Sequence, residues 1–556
     1  MAHYDDPAAT RHASPETATS RESDPAAPSG PLLSRRSLAT GALAAAGAAA
    51  FAATASAQMP TPQAAKRTEA SASPLLGRLT TVMPGIETRL VEAMKTFDVP
   101  GCMLGIVSGD KLVYTKGFGA RSKSDKRPVD SRTQFQIGST TKAFLATTMA
   151  IGVDKGWLAW DDRISDRHPG FALKDDWASR EFRLFDIIAQ RSGLMPYVND
   201  GLTALGYPPP DLVHSLRYVE PVSSFRSAFA YTNITHLVAG EVVAKASGAK
   251  DWDAVAQAEI LDPLGMKETS FTAEAISAAP NHATGHTWVP KGSIEIPFDP
   301  SFPYSLGPAG NMNSTLEDMA RWMRLHLANG AFEGKEIVSP ANLGVTRIPR
   351  VGMSDTIAYA MGWLLMSTPN GRVIWHNGGT NGFGTHFGFL PDKGLGVIVL
   401  SNLQNIGFVD ALALSIYDAL LENPAQDYFA REIEKAKAGA AADDARYTPP
   451  KSPTPPLDPA ALAGTYKSEM LGEVKVEVDG KGLAARFKTG AVLNLTPFDG
   501  PLYLVRLKAE GRFAPIVAMS ADAPTGFMSF AADASGKLNR MTWLYDDSQS
   551  YVLTRV

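Results

Sequence analysis

A serine three residues ahead of a lysine can make a nucleophile, and the chain offers that spacing three times: Ser108 with Lys111, Ser139 with Lys142, and Ser247 with Lys250. The surrounding residues separate them. Ser108-Gly109-Asp110-Lys111 lies between the apolar runs Met103–Val107 and Leu112–Tyr114, as a hairpin turn does. Ser247-Gly248 follows the run from Leu237 to Ala246, where glycine marks a helix end. Ser139 instead follows Phe135-Gln136-Ile137-Gly138 and opens a stretch with Phe144, Leu145, Met149 and Val153 at the spacing of a buried helix. In a first helical turn, residues i and i+3 share a face, so the Lys142 amine reaches the Ser139 hydroxyl. A serine hydroxyl needs such a base, and a lysine serves once burial or nearby charge lowers its pKa. The helix N-terminus adds a free N–H from Ser139 itself for a developing oxyanion.

Two further segments supply partners. Tyr231-Thr232-Asn233 leads into the apolar stretch from Thr235 to Ala246, whereas a second Tyr-x-Asn, Tyr197-Val198-Asn199, sits in a loop before Asp200-Gly201. Beside a lysine ammonium, the Tyr231 phenol is expected to have a lowered pKa and to exchange protons with the serine and then the leaving group. Asn233 offers both a donor and an acceptor to a substrate amide. Trp375-His376-Asn377-Gly378-Gly379 ends an apolar-containing strand from Arg372. Its Gly379 N–H is the candidate second oxyanion donor, and Gly378 lets substrate approach the backbone closely.

The elements that position these groups follow from the patterning. Strands over Met103–Phe118 and Trp363–Leu400 are expected to form an antiparallel sheet flanked by helices from each chain end, including Phe408–Leu421. The middle, from Trp157 to Asn329, reads as mainly helical with long loops. Ser314-Thr315-Leu316-Glu317 has the form of a capping box, and Met319, Trp322, Met323 and Leu327 give the next helix an apolar stripe. The fold class is therefore α+β, followed by a small all-β unit.

The chain resembles the serine hydrolases related to class C β-lactamases and low-molecular-weight penicillin-binding proteins, a family that includes carboxylesterases, D-amino-acid peptidases and amide hydrolases. Beyond the three motifs, the likeness takes in Arg191-Ser192-Gly193-Leu194, Pro308-Ala309-Gly310-Asn311 leading into Asp318-Met319-Ala320-Arg321-Trp322, and Ser401-Asn402. The resemblance implies Ser139 as nucleophile, Lys142 as its activating partner, Tyr231 as proton shuttle, Asn233 as substrate contact, and His376 in place of the lysine of the third motif. A histidine at its ordinary pKa is only partly charged at neutral pH, so carboxylate-bearing substrates are expected to bind more weakly as pH rises. His-x-Gly in this position points to the esterase and peptidase members. The resemblance implies hydrolysis of an ester or amide in a small molecule or short peptide through an acyl-serine. The alternatives are a penicillin-binding protein or β-lactamase acylated by β-lactams, and a non-catalytic cell-envelope binding protein that keeps the fold. Gln190 stands where many relatives have histidine, and nothing in the sequence gives it a role.

Residues 1–57 read as a polar extension and a twin-arginine export signal: Arg35-Arg36, an Ala-rich run from Ala39 to Thr54, and Ala55-Ser56-Ala57 as a cleavage site. This predicts a periplasmic or secreted enzyme with no integral membrane segment once the signal is removed. Residues 58–75 read as flexible and 76–435 as the hydrolase domain. Residues 436–456 read as a Pro-rich tether, and 457–556 as an antiparallel β domain similar to the lipocalin-like barrel appended to some family members. That barrel is expected to pack on the main domain or to promote oligomerisation, and the short tether raises the further hypothesis that it restricts the cleft. Cys102 is the only cysteine among 556 residues and the net charge is −4, which excludes an intramolecular disulfide and offers nucleic acid no basic surface. Without an H-E-x-x-H or a Walker loop, the chain is expected to need neither metal nor cofactor.

Overall fold

The structure, a computed structural model, describes residues 73–546 and 548–556. The twin-arginine segment lies outside the described residues.

The central sheet takes strands from both ends of the hydrolase region. They are β1 (Gly101–Ser108), β2 (Lys111–Gly119), β3 (Val351–Gly352), β4 (Ile357–Tyr359), β5 (Leu364–Thr368), β6 (Gly371–Gly379), β7 (Gly384–Leu390) and β8 (Leu395–Ser401). Their spatial order is β2-β1-β8-β7-β6-β5-β4-β3, antiparallel throughout. The first hairpin turns at Ser108-Gly109-Asp110-Lys111, with Ser108 paired to Lys111, so that Ser-x-x-Lys is a turn.

Side chains alternate across the sheet, as strand geometry requires. Cys102, Leu104 and Ile106 of β1 face α1 (Leu76–Phe97) and the C-terminal helix of the hydrolase core, packing with its Leu412 and Ile416. Met103 and Val107 point the opposite way, into the cluster that holds Phe144 and Trp322. Phe144 belongs to α2 (Thr141–Asp154), which starts just after Ser139, and stacks at 3.9 Å on Trp322. On the same side as α2 lie α3 (Ile234–Ser247), which follows the Tyr-x-Asn motif, and α4 (Leu316–Leu327), which carries Trp322. α3 ends on Gly248 in the left-handed conformation, so the third Ser-x-x-Lys is a helix stop. The C-terminal helix is α5 (Phe408–Leu421). The apolar stripe of α4 is as read from sequence, but its cap sits one residue later. Thr315 accepts from the Asp318 N–H, while Ser314 pairs in a short bridge with Phe135.

Beyond the sheet, α6 (Tyr428–Tyr447) continues through the first half of the segment expected to be an extended tether. Its Ala, Lys and Glu content favours helix, and extended chain starts only where the prolines cluster. The remainder closes into a barrel of β9 (Gly464–Ser468), β10 (Gly472–Asp479), β11 (Gly482–Phe487), β12 (Val492–Asp499), β13 (Leu502–Leu507), β14 (Phe527–Ala532), β15 (Leu538–Leu544) and β16 (Ser550–Arg555), with α7 (Ala514–Met519) between β13 and β14. Closure leaves no free edge. Tyr466, Tyr503, Phe530 and Trp543 fill the interior, and one apolar cluster runs from the barrel into the hydrolase core. Hydrogen bonds cross the same boundary, including Tyr207 OH to the Leu471 carbonyl at 2.7 Å.

Candidate active site

Ser139 sits in a 3-10 turn, Gly138–Thr140, that runs directly into α2. Gly138 has φ 49°, and a Cβ there would lie 2.8 Å from the Gly379 nitrogen. A Cβ on Gly378 would lie 1.8 Å from the Ile137 carbonyl oxygen and 3.2 Å from the Ser139 nitrogen. Both glycines are needed for close approach of β6 to the Ser139 turn. β5 pairs with β6 only as far as Trp375, so the last four residues of β6 have no strand neighbour on that side. This brings the backbone N–H groups of Ser139 and Gly379 into one region, as an oxyanion pair requires.

One helical turn on, Lys142 is fully buried while Ser139 remains partly exposed. Lys142 Nζ lies 2.9 Å from Ser139 Oγ, 2.7 Å from Asn233 Oδ1 and 2.7 Å from the Ala309 carbonyl oxygen. The orientation of the Asn233 amide is fixed from its far end, where Nδ2 donates to Asp200 Oδ2 at 2.5 Å. A neutral amine has two N–H donors and one lone pair. Asn233 and Ala309 use the donors, which leaves the lone pair for the Ser139 O–H. Burial lowers the Lys142 pKa to about 7, against the opposing charge of Asp200, so the neutral form is well populated at physiological pH. Burial likewise raises the Asp200 carboxyl to about 6, with the Asn233 hydrogen bond and Lys142 pulling the other way.

Tyr231 is buried, with Lys142 Nζ 4.7 Å from its ring centroid. Its phenol is not acidified as expected. Burial raises its pKa well above the ordinary value, and a hydrogen bond with Ser139 offsets this only in part. Tyr231 is therefore neutral at physiological pH and keeps its O–H as a donor.

His376 departs further from the expected substrate contact. It is fully buried, with Nδ1 2.6 Å from the Asn377 carbonyl oxygen and Nε2 3.0 Å from Tyr359 OH. A backbone carbonyl only accepts, so Nδ1 carries the proton and Nε2 accepts from Tyr359. Burial and then the nearby Lys142 charge lower its pKa to about 3. At neutral pH it is an uncharged, buried residue of β6 and presents no cation to a carboxylate.

Sequence reasoning had no role for three residues that complete the cluster. Gln190 Oε1 accepts from the Thr232 N–H at 2.6 Å and from its hydroxyl at 3.0 Å, so the residue in the histidine position holds the segment between Tyr231 and Asn233. Asp200 fixes the Asn233 amide. Ala309 gives Pro308-Ala309-Gly310-Asn311 its function, a carbonyl aimed at the lysine. Ala309 stood within a quoted motif, whereas Asp200 and Gln190 lie 33 and 42 residues from their partners and follow no periodic signal. Among the described residues, no group of three or more His, Cys, Asp or Glu could hold a metal ion, and no helix is long and apolar enough to cross a membrane.

The chain is similar to known proteins in sequence and in fold. The chain is 24% identical to the Unguisins hydrolase ungD of Aspergillus violaceofuscus over 79% of its own length and 86% of the relative's. It is 26% identical to Penicillin-binding protein 4 of Amycolatopsis lactamdurans over 68% of its own length and 96% of the relative's. The octameric penicillin-binding protein homologue of Pyrococcus abyssi has the same fold, with a TM-score of 0.56 at 18% identity, covering 85% of this chain and all of that one. Residues 448–554 match a domain of unknown function, DUF3471, which spans the barrel. Residues 86–420, which carry the Ser139, Lys142, Asn233 and Gly379 cluster, match the Beta-lactamase family, and the chain belongs to that family of serine hydrolases.

Proposed function

We propose that the protein is an exported serine hydrolase that cleaves an ester or amide bond of a small molecule or short peptide through an acyl-enzyme on Ser139. The observation that carries this reading is the three-way contact of Lys142 Nζ, which matches a neutral amine aimed at the Ser139 hydroxyl. In acylation, Ser139 Oγ bonds to the substrate carbonyl carbon while its proton passes to Lys142 Nζ. The carbonyl oxygen takes negative charge between the Ser139 and Gly379 N–H groups. Collapse expels the alkoxide or amine, which is protonated from Lys142 by way of the neutral Tyr231 hydroxyl. Water then repeats the sequence on the acyl-serine. Asn233 orients the base, its Oδ1 accepting from Lys142 and one Nδ2 N–H donating to Asp200, and its second N–H is left for a substrate amide.

The esterase or peptidase assignment rests on the third motif. With His376 buried and neutral, the site has no third-motif lysine to hold a substrate carboxylate, which disfavours β-lactams relative to uncharged esters and amides. Export is proposed from the twin-arginine signal pattern of residues 34–57. A panel of p-nitrophenyl esters, D- and L-aminoacyl amides and nitrocefin tests the reading. Turnover beyond one equivalent on an ester or amide supports it, while stoichiometric acylation by nitrocefin with no turnover of any substrate favours a penicillin-binding protein.

A further inference from the structure

The loop that delivers Asp200 to the active site is in a conformation its own sequence does not favour. Tyr197 and Asn199 both have left-handed backbones, with φ 55° and 57°. Asparagine tolerates that region, but for a tyrosine it costs on the order of 1–2 kcal/mol. Within the hydrolase domain the loop is tied by the Tyr197 N–H to the Tyr231 carbonyl at 2.6 Å and by Asn199 Nδ2 to Ser215 Oγ at 2.7 Å.

The turn also closes on itself, the Tyr197 carbonyl accepting from the Asp200 N–H at 3.1 Å and the Asn199 carbonyl from the Leu202 N–H at 3.0 Å, and the barrel adds the partner of the Asn199 N–H and a second donor to the Tyr197 carbonyl. Gln549, which is buried and lies just before β16, accepts from the Asn199 N–H at 2.9 Å through Oε1 and donates through Nε2 to the Tyr197 carbonyl at 3.2 Å. One carboxamide therefore brackets the turn at two points, as a neighbouring strand would. Tyr551 OH donates to Asn199 Oδ1 at 3.2 Å. Tyr545 covers Gly201 so closely that a Cβ there would lie 2.3 Å from its ring. Gln549 is held in turn by its own N–H on Asp546 Oδ1 at 2.7 Å. An unbroken series runs from Gln549 through the Tyr197–Asn199 backbone to Asp200, then Asn233, then Lys142.

We propose that Gln549 of the C-terminal barrel is a positioning residue for the acylation site, bracing the Tyr197–Asn199 turn so that Asp200 orients Asn233 and, through it, the Lys142 amine. This rests on the reading of Ser139 and Lys142 as nucleophile and base. The barrel is then part of the active site, although it contributes no group that touches substrate.

The test uses the full chain, with fluorophosphonate labelling of Ser139 measured as a rate against pH. In Gln549→Ala and Gln549→Met, labelling is expected to slow at least tenfold. The midpoint of its acidic limb should move to lower pH, because the Asp200 charge that raises the Lys142 pKa is no longer held in place. Asp200→Asn should shift the midpoint the same way, and the double variant should add little to it. Tyr551→Phe, which keeps the ring and deletes one bond to the turn, gives a smaller shift in the same direction and serves if the Gln549 variants fail to fold. Unchanged rate and midpoint, or a fall in melting temperature alone, would overturn the inference and leave the Ser139 reading intact. An additive double variant would do the same. Absence of labelling in the unaltered protein at every pH would overturn both.

Discussion

Lys142 Nζ lies 2.9 Å from Ser139 Oγ and spends its other two contacts on acceptors, the Asn233 side chain and the Ala309 carbonyl. A protonated ammonium would direct its third N–H at the serine oxygen, where it would hold the hydroxyl oxygen without removing the proton. The burial that lowers the lysine pKa to about 7 therefore decides whether the pair is reactive. At and above neutrality the amine can act as a base toward the serine; well below it, the ammonium holds the serine oxygen without taking its proton.

The same burial predicts a stability slope. Between pH 7 and the lysine's ordinary value of about 10.5, the unfolded chain holds a proton that the folded site rejects. Stability therefore rises with pH through that window and is lowest below it. Lys142→Met removes the titrating group, so the urea midpoint of the unaltered protein should gain on that of the variant between pH 7 and 9. Parallel curves would contradict the lowered pKa.

His376 gives a prediction that reverses the one its residue type suggests. With its pKa near 3 it does not change charge between pH 6 and 8. The KM ratio of a carboxylate-bearing substrate to its neutral analogue should then be insensitive to His376 across that range. His376→Phe deletes the bonds to Tyr359 and Asn377 and should cost about 1–3 kcal/mol of stability, leaving that ratio unmoved. A ratio that climbs with pH only in the unaltered protein would restore the charged-histidine account.

Gly378→Ala tests how β6 meets the nucleophile turn. A methyl group 1.8 Å from the Ile137 oxygen has to push strand and turn apart. A displacement of about 1 Å at a reacting centre costs on the order of 10²-fold in rate, so kcat/KM for an ester should fall by about that factor. Activity near the unaltered level would mean that the two backbones need not approach so closely.

Gln190→Ala should act through the segment it holds. Removing the acceptor for the Thr232 N–H leaves a buried donor unpaired, at a cost of roughly 1–3 kcal/mol, and frees Tyr231 and Asn233 to shift. Both a lower melting temperature and a lower kcat are expected; a lower melting temperature with unchanged kcat would confine Gln190 to packing.

What could be read from the sequence follows the range of the interactions. Ser139 and Lys142 are three residues apart on one helix, and the alternation of Cys102, Leu104 and Ile106 against Met103 and Val107 is a local period, so the nucleophile pair and the sheet were both legible. The tether was misjudged over its first half because an Ala-rich, charged stretch suits helix as readily as coil, and here it continues a helix whose start is buried at Tyr428, Phe429 and Ile433. Protonation was not legible at all. The charge states of His376 and Tyr231 depend on complete burial, which is a sum over side chains from distant elements. Asp200 and Gln549 act across loops, where residue type says little about what a side chain will meet.

The most direct test of the account is the rate of Ser139 modification by a fluorophosphonate across pH 5 to 9, with the adduct located by tandem mass spectrometry. The account predicts an adduct on Ser139 alone, absent from Ser139→Ala, at a rate that rises with pH to a plateau with a midpoint near 7. An adduct on another residue, or a rate independent of pH across that range, would contradict it.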